Sequence, residues 1–84
     1  MRDLFGLIAE FTDIRTGFKG QFRITTSKPN PDGWIFGVMV SGGTVESMYG
    51  RGEWVRMSEL SHFRKSIVEN GLYGIVPVDI HAVA

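Results

Sequence analysis

The sequence predicts an α+β fold: a small, mainly antiparallel sheet or partly closed barrel of about five to six strands, with one helix near residues 59–70. Three observations carry that expectation. Trp34 to Val40 alternates, with Trp34, Phe36, Val38 and Val40 on one face, and runs into Gly42-Gly43, which takes the positive φ angles of a tight turn. Gln21 to Thr26 alternates cleanly, Phe22 and Ile24 inward and Arg23 and Thr25 outward. Leu60, Phe63, Ile67 and Val68 recur at helical spacing between Ser58, an N-capping residue type followed by Glu59, and Asn70-Gly71, a pair able to take the left-handed conformation that ends a helix.

The remaining elements follow in chain order. Residues 4–14 fit two periods: Leu4, Leu7, Ile8, Phe11 and Ile14 are spaced as on a helix, and Phe5, Leu7, Ala9 and Phe11 alternate as on a strand. Gly6 weakens a helix and no capping box follows Asp3, so a strand from about Leu7 to Ile14 is expected, with a turn at Thr16-Gly17. Lys28-Pro29-Asn30-Pro31-Asp32-Gly33 is a loop, since each proline removes a backbone donor and holds its predecessor extended. Thr44 to Tyr49 and Glu53 to Met57 read as two strands joined across Gly50-Arg51-Gly52. Leu72 to Val83 reads as an edge strand, with Val76, Val78, Ile80 and Ala82 on one face, because Pro77 cannot donate to a central ladder. The residues expected in the core are Phe22, Ile24, Phe36, Val38, Val55, Leu60, Phe63, Ile67, Val76 and Val78.

Composition narrows the function classes. Eighty-four residues make one domain, and 43% hydrophobic with 21% charged residues is ordinary for a globular chain. With no cysteine there is neither a disulfide framework nor a thiolate nucleophile or metal ligand. Asp3 and Glu10 interrupt the apolar start, which reads as no signal peptide, and Trp34 to Val40 is far shorter than the roughly 20 residues a membrane helix needs. A cytoplasmic location is the expectation. Nine Lys and Arg balance nine Asp and Glu, yet Arg15, Lys19, Arg23 and Lys28 give residues 14–31 a charge of +4 with no acid among them.

Catalytic constellations are sparse. Only His62 and His81 offer imidazole bases, and Ser58, Ser61 and Ser66 near His62 lack a Gly-x-Ser-x-Gly turn. Glu59 with His62, and Asp79 with His81, are each half of a metal motif without a second half. Gly50-Arg51-Gly52 lacks the third glycine of a dinucleotide loop and the Lys-Ser/Thr of a phosphate loop. No enzyme, cofactor or metal is expected.

Binding fits the residues better. Tyr49, Arg51 and Trp54 combine the three residue types enriched at interface hot spots, and the Arg15, Phe18, Lys19 turn adds two cations and a ring. These six are the expected contacts for a protein partner, in a stoichiometric module of the size phages and mobile elements use to inhibit or redirect larger host machines; a homodimer is compatible with the chain. The alternative is a small barrel binding single-stranded nucleic acid through Arg15, Phe18, Lys19, Arg23 and Lys28, where cations neutralise phosphates and a ring stacks a base.

Overall fold

A computed structural model describes residues 1–40 and 52–82. Six antiparallel strands, β1 (Ile8–Thr12), β2 (Lys19–Ile24), β3 (Trp34–Met39), β4 (Gly52–Arg56), β5 (Leu60–Glu69) and β6 (Leu72–Pro77), form one sheet in the order β4-β3-β2-β1-β5-β6. Alternation sets the buried side: Ala9 and Phe11, Phe22 and Ile24, Ile35 and Met39, and Val55 all point to one face. Leu4 and Leu7 close that face from the N-terminal segment and Ile80 from the C-terminal one. Backbone bonds from Leu4 N to Ser27 O and from Gly6 N to Ile24 O, both 2.8 Å, and from Arg2 N to Ile80 O at 3.2 Å hold these covering segments down.

The first five strands coil. In a flat sheet β4 and β5, four spacings apart, would lie about 19 Å from each other. Only the 3-10 turn Met57–Glu59 joins them, at roughly 2 Å of rise per residue. The ends meet because the sheet wraps around its buried face, yet among the described residues no ladder joins β4 to β5 or β6, so the sheet is open and not a closed barrel.

The expected helix near 59–70 is absent. Beyond the short 3-10 turn, the segment is the ten-residue strand β5, and Asn70-Gly71 is the two-residue turn into β6, pairing Glu69 with Leu72. Both turn residues have positive φ, 54° and 78°, the requirement of a type I′ hairpin. The helix-like spacing of Leu60 and Phe63 comes from a β-bulge. Ile8 pairs with Arg64 and Glu10 with Ser61, so two steps on β1 face three on β5, and His62 takes up the extra residue at φ 53°. After the bulge, Phe63, Lys65 and Ile67 alternate as on any strand.

The face of β3 is also inverted relative to expectation. Ile35, Gly37 and Met39 are buried, and Trp34, Phe36 and Val38 lie on the outer side, half-buried. Gly37 explains it. A Cβ there would sit 2.6 Å from the Phe22 ring and collide with the Arg23 carbonyl, so the fully buried Phe22 occupies the space a larger residue would need. Of the ten expected core residues, Phe22, Ile24, Val55 and Leu60 are buried; Phe36, Val38, Phe63, Ile67, Val76 and Val78 are half-buried, with Phe63 and Val78 packed against the core. The β1 and β2 strands, the 28–33 loop and the edge position of β6 agree with the sequence reading. The Gly42-Gly43 turn and the strand expected at Thr44 to Tyr49 lie outside the described residues.

Candidate interaction groove

One wall of a concavity at the β3–β4 end of the sheet is the β1–β2 turn. Asp13 Oδ1 accepts hydrogen bonds from the backbone N–H of Arg15 at 2.8 Å and Thr16 at 3.4 Å, and Gly17, at φ 77°, donates to the Asp13 carbonyl at 2.7 Å. This is an Asx turn, in which a short carboxylate replaces a backbone acceptor. The Arg15 backbone donor, with smaller help from Thr16 and the Arg15 charge, holds the Asp13 carboxyl below its ordinary pKa. Phe18 leaves the turn with its ring tilted against Phe11, centroids 6.4 Å apart.

The opposite wall is the outer corner of β3 and β4. Asn30 Oδ1 accepts from the N–H groups of Asp32, at 3.0 Å, and Trp34, at 2.9 Å, which fixes the loop where β3 begins. Trp34 pairs with Arg56 and Phe36 with Trp54 across the ladder. The Arg56 guanidinium lies 4.6 Å from the Trp34 ring centre, and Phe36 and Trp54 meet edge to face at 5.2 Å. Glu59 Oε1 accepts from the Arg56 N–H at 3.1 Å, and Met57 N donates to Gly33 O at 2.9 Å, tying the 3-10 turn to this corner.

Between the walls runs an open groove of about 490 Å³, lined by Phe11, Asp13, Ile14, Arg15, Trp34, Glu53, Trp54, Val55, Arg56, Ser58 and Glu59. Its titratable groups are three acids and two bases, and its rings stand beside exposed aliphatic surface at Ile14. Such a surface can desolvate apolar side chains and align a polar backbone at once.

Of the residues expected at a protein interface, Arg15 and Trp54 line this groove together although 39 positions separate them. Phe18 and Lys19 lie outside its lining; Phe18 sits on Phe11, and Lys19 is exposed opposite Thr12. Tyr49 and Arg51 lie outside the described residues. Trp34, Ile14 and Arg56 are groove residues that sequence reasoning missed, Trp34 because alternation put it on the same strand face as Phe36 and Val38, which were expected in the core. The signal was there in part: Trp54 and Arg56 are two apart on a strand and so share a face.

The residues of the nucleic-acid reading scatter more. Lys19 and Arg23 share the outer face of β2, where Arg64 joins them by donating to Gln21 Oε1 across β1, and Glu10 is the acid among them. Arg15 lies at the groove and Lys28 is exposed in the loop. As for chemistry, the Ser61 Oγ lies 3.1 Å and the Glu10 Oε2 3.8 Å from the same His62 nitrogen, Nδ1. A relay needs the two partners on opposite ring nitrogens, so this cluster is not a triad. Asp79 Oδ1 accepts from the His81 backbone N–H at 2.9 Å, a turn contact. Among the described residues no group of three or more His, Cys, Asp or Glu side chains could hold a metal ion, and no helix is long and apolar enough to cross a membrane. Compared with protein-family models, curated proteins and solved structures, the chain matches none.

Proposed function

We propose that this protein is a non-enzymatic binding module acting stoichiometrically, and that it grips an extended segment of a partner protein in the groove between the Asp13 turn and the Trp34–Arg56 corner. The observation that carries this reading is the convergence of Arg15, Trp54, Trp34 and Arg56 on one concave surface. Tryptophan and arginine supply the largest share of binding energy at protein interfaces, where a ring fills a pocket and a guanidinium donates in a fixed fork. Arg56 is already held over Trp34, so little side-chain freedom remains to be lost on binding. A small cytoplasmic inhibitor or adaptor of the kind phages and mobile elements direct at larger host complexes is the setting that suits a one-domain binder of this size.

The test begins with panning a displayed library of random peptides against the protein. Enriched peptides are expected to lose at least about thirtyfold in affinity to Trp54→Ala or Arg15→Glu, the effect of removing a hot spot of about 2 kcal/mol. Melting temperatures should stay within a few degrees of wild type, since both side chains are exposed. Peptides that bind these variants unimpaired would remove the groove from consideration.

A second reading has one observation in its favour. Lys19, Arg23, Arg56 and Arg64 all lie on the outer face of the sheet, on which Trp54 is 54% exposed. Cations flanking an exposed ring are what single-stranded nucleic acid uses. In that case Trp54 would stack a base and the four cations would track phosphates.

A further inference from the structure

We infer that the chain associates with a second copy of itself by antiparallel pairing of β6 with β6 of the partner, about a two-fold axis at Gly74. This does not rest on the groove, with which it shares no residue. The distal part of the β5–β6 hairpin is a two-stranded ribbon: β1 contacts β5 only as far as Arg64, and residues 65–69 and 72–76 project beyond it. Its apolar side chains face water, with Leu72 75%, Tyr73 72%, Val68 71% and Ile75 54% exposed.

The backbone of β6 sets the register. Val78 donates to Phe63 O at 2.9 Å, so even-numbered residues of β6 direct their N–H and C=O groups toward β5. Tyr73 and Ile75 therefore direct theirs outward, and among the described residues no backbone group answers them. Two copies related by a two-fold axis at Gly74 place Tyr73 opposite Ile75 of the partner in a hydrogen-bonded pair, twice over. That register satisfies all four outward donors and acceptors on each chain. Pro77, which has no N–H, stands where the new ladder stops.

Side chains agree with the register. On one face Tyr73 meets the partner's Ile75, an aromatic and β-branched cross-strand pair. On the other, Leu72 meets the partner's Val76. Glu69 pairs with Leu72 and Lys65 with Val76 within each chain, so the two rows in which Leu72 meets the partner's Val76 each run from an acid to a base, and the rows between them end on Val68, Ser66 and Ile67 without charge. β6 itself carries no charge, although soluble proteins commonly place charges on edge strands to prevent such pairing.

The full chain provides a clean experiment, because it has no cysteine. A residue at the two-fold axis faces its own copy across a non-hydrogen-bonded pair, about 4.5 Å between Cα atoms, within the span a disulfide bridges. Gly74 has room for the added atom, the nearest neighbour being Ile67 Cγ1 at 3.7 Å. Gly74→Cys is expected to oxidise to a covalent dimer at least tenfold faster than Val68→Cys, which is on the same ribbon but away from the axis. Sedimentation equilibrium of the wild type should give twice the 9.4 kDa chain mass. Ile75→Pro deletes an outward N–H and leaves the β5 ladder intact; it should yield a monomer with unchanged circular dichroism. A wild type that stays at 9.4 kDa at millimolar concentration, or equal oxidation rates for the two cysteine variants, overturns the inference. Should Ile75→Pro unfold, the cysteine comparison and Tyr73→Lys, expected to be monomeric, still decide it.

Discussion

Gly37 shows how a single position fixes the packing of its neighbours. Adding one methyl group there drives it into the Arg23 carbonyl and the Phe22 ring, and neither a ladder carbonyl nor a fully buried ring can move aside cheaply. Gly37→Ala is expected to destabilise the protein by about 1–3 kcal/mol, and Phe22→Ala by about 3–5 kcal/mol, both read from urea midpoints. Asp13 supplies a different kind of test. Its pKa in the folded protein lies below that in the unfolded chain, so its contribution is complete above the unfolded value of about 3.9 and is lost as pH falls through the lower folded one. The amide resonances of Arg15 and Thr16 should titrate with that low midpoint, and Asp13→Asn should abolish the titration while leaving the two donors bonded to an amide oxygen.

Among the elements, β1 and β2 were legible because alternation and burial coincide there: Ala9, Phe11, Phe22 and Ile24 are both the inward positions and apolar ones. The β5–β6 hairpin was not, because the same dipeptide serves two purposes. Asn-Gly ends helices and turns hairpins, and the bulge at His62 gave Leu60 and Phe63, on either side of it, a three-residue spacing that reads as a helical turn. β3 misled for another reason. Its bulky residues lie on the outer face, and alternation without the Gly37 contact put Phe36 and Val38 in the interior. Two substitutions check this account. Gly71→Ala should cost about 1–2 kcal/mol by placing a side chain at φ 78°, seen as loss of the Val68–Tyr73 cross-strand contacts in NOE spectra. His62→Val should cost a similar amount because a β-branched residue resists φ 53°, whereas His62→Gly should not.

For the molecule as a whole, the sequence announced two of the eleven residues that line the candidate groove. Arg15 and Trp54 were visible as hot-spot residue types; that they share a concavity depends on the coil of the sheet, which in turn depends on the brevity of the 3-10 connection and on contacts no local pattern encodes. Net charge is zero, so the two functional readings separate cleanly by salt. If nucleic acid is the ligand, log affinity for a labelled single-stranded oligonucleotide should fall by about 0.7 per phosphate for each tenfold rise in salt. Engagement of all four outer-face cations would give a slope near 3, and Arg23→Glu with Lys19→Glu would flatten it. A protein segment held in the groove predicts no oligonucleotide binding even at low salt.

The bulge at His62 makes the distal ribbon's orientation depend on a count of residues. Up to Ser61 the strand keeps step with β1; beyond it, every side chain is displaced by one. Removing His62 would therefore act as a change of reading frame for the pleat. Ile67 and Val76 would roll to the outer side, Tyr73 and Ile75 to the inner, and the ribbon would be turned over as a unit, as a one-residue slip does to any strand. A deletion there is thus the shortest genetic step between two molecules with the same five-stranded body and opposite faces on the arm that leaves it.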